Sequence, residues 1–345
     1  TLSNRVKVKI FLIVYVDDFL ALGDKRVMSK AWQTLKDLGW KDEAPSKFLG
    51  MSYQIEFDEV SNSVLLCQAE YSDYGIDQYS GSSIAAKGKL RDSKAPALEW
   101  TIYNEAEVTQ KGQETESFIR RMIGLLLYLA KCTRPDLRYA VGRLARFMTK
   151  WSICHDRELM RLVGYLRRTR AKGIRIRMLQ NEDVDFVYDV DADHGNDALD
   201  RRSVSGAAFV IAGCNGKAQS LGFVGCSSKA QQNAEKSSGG TECTALSANA
   251  PRVVKLGDMY CDMFETTKRV IVRSDSTTAI SAVKSGYSRA MYHLQKHQGT
   301  NLAWLHDLFY PRHRSPYLEL RKVATEVNRA DPNTKPLPWF KLSEM

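Results

Sequence analysis

The stretch DVDFVYDVDAD, residues 183–193, reads as a β-strand with chemistry at its end. Phe186, Tyr188 and Val190 alternate with Val187, Asp189 and Asp191, the two-residue period of a strand. Asp189, Asp191 and Asp193 then point the same way. Outward from this stretch, VSGAAFVIAG and QSLGFVGCSSK continue a sheet and TECTALSANA begins a helix. KRVIVRSD is a strand, STTAISAVKSG a helix, and PYLELRKVAT a last strand before the acidic turn NRAD. Three antiparallel strands, then helix, strand, helix and strand, describe a mixed α/β sheet of about 150 residues.

Four acids of this region sit where elements begin or end. Asp191 lies on the first strand, Glu242 opens a helix, Asp275 closes a strand and Asp331 follows the last one. One acid in such a place is ordinarily a cap or turn former. Four at the edges of one sheet suit two divalent ions about 3.5–4 Å apart, which clamp an in-line phosphoryl displacement. Oxygen ligands select Mg²⁺ or Mn²⁺ over zinc.

The charge is unevenly spread. The 345 residues carry a net +10, yet Arg120 to Arg177 alone hold 16 Lys/Arg against Asp136, Asp156 and Glu158. Such a block points to a polyanion, nucleic acid above all, with a solvated helix face as the plain alternative. Residues 116–172 read as helical. In PDLRYAVGRLARFMTK, Leu137, Val141, Leu144 and Met148 recur at helical spacing, while Arg143, Arg146 and Lys150 share another face. In HDRELMRLVGYLRRT, Leu159, Leu162, Val163 and Leu166 form the apolar stripe. Arg157, Arg161, Tyr165 and Arg168 line a face of their own, a mixture suited to a phosphate backbone.

Toward the N-terminus, VKVKIFLIVYV and FLALG read as strands flanking Asp17 and Asp18, and SKAWQTLKDLGW as a helix ended by Gly39. KFLGMSYQIEFDE and SVLLCQAEY look like a second hairpin. Residues 80–115, rich in Ser, Gly, Lys and Glu without a sustained period, read as a linker or long loop. Seven scattered cysteines with no C-x-x-C pair suggest reduced thiols of an intracellular protein, with neither zinc nor disulfide framework. No apolar run reaches the roughly 18 residues of a membrane span, and Thr1-Leu2-Ser3 opens no signal peptide. Without an initiator Met, the chain is expected to be a processed piece or a fragment.

YVDD between hydrophobic strands, KFLGMSYQIE, GLLLYLAKCTRPDLRYAVGRLARFM, DADHGNDALDRRSVSG, SSKAQ, TECTALS and RADPNTKPLP together resemble the C-terminal part of copia-type LTR-retrotransposon Pol polyproteins. The resemblance runs from about Ile10 to Pro338, with the motifs in the family's order. It implies an α/β and α+β multidomain chain. Residues 1–79 would be part of a reverse transcriptase palm (α+β) and 80–115 a linker. Residues 116–180 would be basic thumb or connection helices, and 181–345 a ribonuclease H-like domain with a mixed five-stranded sheet.

By this resemblance Asp17 and Asp18 are metal ligands of DNA polymerisation. That site needs a further aspartate from an earlier palm strand, so this chain alone is not expected to polymerise. Asp191, Glu242, Asp275 and Asp331 would hold two Mg²⁺ (or Mn²⁺) ions and cut the RNA strand of an RNA–DNA hybrid. His293 is a candidate for assisting product release. Arg143, Arg146, Lys150, Arg157, Arg161 and Arg168 would grip the backbone. The sequence departs from the family at His194 (usually Trp), Thr244 (usually Glu) and MYHLQ (usually TKHID), none of which removes an implied ligand. The implied partners are nucleic acid and the rest of the Pol polyprotein, in a cytoplasmic particle or the nucleus, with no membrane. Two other readings stay open. One is a non-catalytic nucleic-acid-binding remnant. The other is a recombinase-type nuclease of the same fold class, which leaves YVDD and TKPLP unexplained.

Overall fold

The structure is a computed structural model. It describes residues 9–16, 18–41, 47–57, 60–98, 105–195, 201–214, 220–313 and 316–337. Strands β1 (Ile10–Tyr15) and β2 (Asp18–Gly23) form an antiparallel hairpin with a two-stranded sheet to themselves, followed by helix α1 (Lys25–Asp37). Asp24 caps that helix by accepting the Arg26 N–H at 2.9 Å, and Gly39 takes the left-handed conformation (φ 92°) just beyond it. Flanking aspartates had suggested a hairpin between buried strands. Instead Leu12, Ile13, Val14 and Tyr15 are exposed, on a hairpin whose β2 packs against α1.

Strands β3 (Lys47–Phe48), β4 (Met51–Phe57) and β5 (Ser61–Cys67) follow, and the chain then turns helical. Helix α2 (Ala69–Ser80) begins where a strand was expected to run on through Gln68 to Tyr71. Residues 80–98, expected to be linker, pack on the helical layer. They contain α3 (Ser83–Lys87), buried Ile84 and Ser93, and a passage so close that a Cβ on Gly164 would lie 2.1 Å from the Arg91 carbonyl oxygen. Helices α4 (Glu105–Thr109), α5 (Glu116–Cys132), α6 (Arg138–Ala145) and α7 (Ile153–Arg168) complete that layer. Leu126, Leu129, Leu137, Val141, Leu144, Leu159 and Leu166 close its core. Truncating one such leucine to alanine costs about 2–5 kcal/mol.

A buried ion pair ties the helices together. The Arg134 guanidinium, 1% exposed, donates to Asp136 at 3.0 and 2.7 Å and to the Thr169 carbonyl at 3.1 Å. The Tyr165 hydroxyl donates to the same Asp136 carboxylate at 2.8 Å. Burial pushes the Asp136 carboxyl up, but Arg134 and Tyr165 more than offset this and hold it below the ordinary range. The Thr-Arg-Pro-Asp motif is therefore the joint between α5, α6 and α7.

Strand β6 (Gly173–Leu179) pairs antiparallel with β5 along its whole length, and its I-R-I-R alternation escaped the sequence reading. Strands β7 (Val184–Ala192), β8 (Val204–Gly213) and β9 (Leu221–Ala230) form an antiparallel meander. Helix α8 (Ser238–Phe264) then leads to β10 (Val270–Ser274), α9 (Thr277–Ser285), α10 (Leu294–Gln298), α11 (Leu302–Phe309) and β11 (Leu318–Lys322). β10 runs parallel to both β7 and β11. The sheet order is β11-β10-β7-β8-β9-β6-β5-β4-β3. The expected five-stranded mixed sheet is thus present as β11-β10-β7-β8-β9. Through β6 it continues into the strands expected to be separate, and one mixed nine-stranded sheet results. Phe186, Tyr188 and Val190 of β7 pack under α8 with Leu246, Val253 and Leu305, while Val187 meets Val210 and Ile271 on the opposite face. Among the described residues no helix is long and apolar enough to cross a membrane.

Candidate metal centre

The period of β7 places Asp189 and Asp191 on one face, and the two meet different partners. Asp189, fully buried, takes a fork of hydrogen bonds from the Arg273 guanidinium at 2.6 and 2.7 Å and one from the Arg329 N–H at 3.2 Å. Asp191, two residues nearer the strand's end, receives the Thr334 hydroxyl at 2.6 Å. Asp193 closes the strand end on β8, its carboxylate accepting from the Val204 N–H.

Three acids converge beside Asp191. A carboxylate oxygen from each of Asp191, Glu242 and Asp275 lies within 4.8 Å of the others, the one such grouping among the described residues. Ser237 caps α8 by accepting from the Gly240 N–H, which sets the helix start and with it Glu242. Glu242 Oε1 accepts from the Ala192 N–H at 3.2 Å, while the buried Oε2 has no hydrogen-bond partner. Asp275 follows β10, and its Oδ2 accepts from the Thr325 hydroxyl at 2.8 Å. Asp331 stands outside this grouping. Its turn is held by Asn328 donating to the Val190 carbonyl, and Lys335 donates to its Oδ1 at 2.9 Å.

The electrostatics follow from this crowding. Burial, then repulsion from Asp331 and Asp275, push the Asp191 carboxyl up to about 7 against the pull of Thr334 and Lys335. Burial, Asp191 and Asp275 push Glu242 up to about 9. Burial works against the Lys335 charge, yet Asp331, Asp191 and Asp275 hold its ammonium above the ordinary value. A cluster of acids that resists ionisation, all-oxygen donors and a buried carboxylate oxygen with no partner fit a hard divalent cation.

Not every residue singled out in the sequence lies here. Asp17 is outside the described residues, and Asp18 is exposed at the start of β2. His293 Nε2 meets Glu235 Oε1 at 2.9 Å. That pair lies against the first turn of α8, where a Cβ on Gly240 would come within 2.8 Å of the Glu235 carboxylate. His297, four residues on, turns its Nε2 to the Ala234 carbonyl at 3.3 Å.

The arginine faces are corrected more sharply. α6 ends at Ala145, so Arg146 caps it and Lys150 lies in the turns beyond, off any shared helix face. Arg143 is 9% exposed and pairs with Glu158 at 3.5 Å. Arg157 pairs with Glu107 at 2.6 Å, and Arg161 donates to the Ser93 hydroxyl at 3.2 Å. Arg143, Arg157 and Arg161 line a cavity of about 220 Å³ under Pro96 and Leu98, and Tyr165 is core. Arg168 and Lys150 are exposed. The helical spacing was right, but the segment packed over it was taken for a linker. Thr334 and Lys335 were missed as site residues, although TKPLP had been noted as a family motif.

Fold and site together define a mixed α/β protein with a carboxylate cluster suited to a divalent cation. No family model matches the chain. It is 26% identical over 340 residues, 95% of its length, to the retrovirus-related Pol polyprotein from transposon TNT 1-94 of Nicotiana tabacum. It is 29% and 30% identical over 206 and 202 residues to the retrovirus-related Pol polyproteins from transposons RE1 and RE2 of Arabidopsis thaliana, matches that cover 59% and 57% of it. These matches support reading the chain as a region of a copia-type Pol polyprotein. It spans 23% of the Nicotiana tabacum polyprotein and 13% of each of the other two.

Proposed function

We propose that residues 181–345 act as a metal-dependent ribonuclease H, hydrolysing the RNA strand of an RNA–DNA hybrid. On this reading residues 1–79 belong to a reverse transcriptase palm, and residues 116–180 connect the two. The observation that carries the reading is the convergence of Asp191, Glu242 and Asp275 at the ends of β7, α8 and β10, with Asp331 alongside. Asp191, Glu242 and Asp275 would hold the cation, and Asp331 would serve at a second one. Mg²⁺ or Mn²⁺, when bound, supplies the positive charge that phosphodiester hydrolysis needs at the reacting phosphate.

The chain's own groups prepare that site. Ala192 N–H fixes one oxygen of Glu242 and leaves the other available. Thr334 and Thr325 orient Asp191 and Asp275 through their hydroxyls. The Lys335 ammonium lowers the repulsion among the acids and keeps Asp331 turned toward it. On this reading His293, which pairs with Glu235 next to the first turn of α8, would assist product release. The 2′-hydroxyl and the duplex shape would distinguish hybrid from DNA.

Asp275→Asn tests the reading, since it removes a ligand charge at nearly constant volume. Mg²⁺-dependent cleavage of a labelled hybrid should fall by roughly 100-fold or more, because each ~1.4 kcal/mol of lost stabilisation is tenfold in rate. Binding and folding should persist. A wild-type chain that binds hybrid and never cleaves it, with either ion, would replace this reading with a non-catalytic remnant.

A further inference from the structure

Part of the positive excess of the helical segment is met by ion pairs within the chain, buried at Arg134 and Arg143 and more exposed elsewhere. Arg134, Arg143, Arg157, Arg167, Arg170 and Arg175 each face a carboxylate. Positive charge collects instead in a groove of about 300 Å³ where α6 meets the ends of β8 and β9. Arg143 and Arg146 line it from the α6 side, and Arg202 and Lys229 line it from the sheet. Tyr139 and Ser228 add hydroxyls, and none of the lining residues is an acid. Arg202 and Lys229 are exposed. A Cβ on Gly142 would stand 3.8 Å from the Ser228 hydroxyl, so the absent side chain keeps the groove floor open.

The groove adjoins the carboxylate cluster through the sheet itself. Val204, on its wall, exchanges backbone and side-chain hydrogen bonds with Asp193. Ala192 is opposite Ser205, and Ser205 is opposite Lys229, so Lys229 lies two strands across from the residue after Asp191. At about 4.8 Å per strand that is roughly 10 Å.

We propose that this groove binds a backbone phosphate of the nucleic acid duplex, close along the duplex to the phosphate that reaches the carboxylates. Arg146, Arg202 and Lys229, beside the Arg143–Glu158 pair and two hydroxyls, match phosphate oxygens in charge and in hydrogen bonding. The assignment rests on the ribonuclease H reading for its substrate, but its test does not depend on cleavage.

The test is Arg202→Gln combined with Lys229→Gln, two exposed changes outside the carboxylate site. Hybrid binding is followed by fluorescence anisotropy in EDTA over a range of salt. The slope of log affinity against log salt should shrink by up to about 0.9 for each lost phosphate contact, while Lys229→Arg keeps the wild-type slope. Single methylphosphonates are then walked along both strands. One set of neighbouring positions should weaken the wild type about tenfold and leave the double variant unchanged. With Mg²⁺, KM should rise and kcat at saturating hybrid should hold. An unchanged salt slope in a double variant with wild-type melting, or methylphosphonates that weaken both proteins alike, would overturn the proposal. If the salt slope falls as described but no hybrid is ever cut, the groove stands and the catalytic reading fails.

Discussion

Hairpin β1–β2 and strand β7 both set aspartates beside aromatic and β-branched residues, and the fold treats them in opposite ways. On the hairpin, Asp18 is open to solvent, and Tyr15 opposite it is 58% exposed. On β7, Asp189 and Asp191 are 0% and 4% exposed, between α8 on one face and the helical layer on the other. Water screens the hairpin charge at almost no cost. In the sheet each carboxylate needs a partner, and the two differ in what they receive. Asp189 has two guanidiniums from its own chain nearby. Asp191 has a hydroxyl and more acids. A buried acid supplied with an internal cation is structural, whereas one surrounded by acids is prepared for a cation from outside.

The largest effect should come from breaking the internal pair. Arg273→Met leaves Asp189 buried with the Arg329 N–H at 3.2 Å and the Arg329 guanidinium at 3.9 Å. Removing one partner of a buried pair costs about 3–5 kcal/mol, read as a drop in the denaturant midpoint at unchanged slope. A cost under about 1 kcal/mol would mean that Arg329 or water suffices, and the division between Asp189 and Asp191 would collapse.

A smaller effect should separate Asp191 and Glu242 from every other acid. Both carboxyls are pushed above their ordinary values, to about 7 and about 9, so the folded chain keeps protons that the unfolded chain has already released. The stability this lends is fully present below the ordinary carboxylate range and is lost as pH rises through about 7 and then about 9. Mg²⁺ should restore it. At about ten times its Kd the gain is about 1.4 kcal/mol, visible as a higher Tm than in EDTA near pH 8. Near pH 5, where the cluster holds its protons, the gain should vanish. An equal Mg²⁺ effect at both pH values would point to binding elsewhere.

The same contrast explains what the sequence made legible. β8 spans the ten residues VSGAAFVIAG that the alternation marked, because a strand buried on both faces leaves a continuous apolar run. Asp191, Glu242 and Asp275 were legible as ends of elements, which is a local property. The pairing of β5 with β6 joins residues more than a hundred positions apart, and nothing local in GIRIRML records it. Arg143, Arg157 and Arg161 show a similar limit, since a stripe of arginines on a helix does not say what lies above it. Here it is the chain around Ser93 and Leu98, whose composition imitates a linker. Thr334 was invisible as a site residue because a hydroxyl that orients a carboxylate has no spacing rule of its own.

The smallest expected effect is at the hairpin. Asp18→Asn removes a charge that solvent already screens, at a position whose Cα partner, Tyr15, is also exposed. Its effect on stability should stay within about 0.5 kcal/mol. Hybrid cleavage, the Mg²⁺ gain in Tm and the salt slope of binding should all match the wild type, because Asp18 is not in the carboxylate grouping. Primer extension by the wild type that Asp18→Asn abolishes would show that the exposed hairpin is a working metal site, and that burial is not what separates the two sets of acids. If Asp18→Asn instead erased the Mg²⁺ gain in Tm, the ion would sit at the hairpin, and the buried cluster would have to be neutralised by its own protons and Lys335.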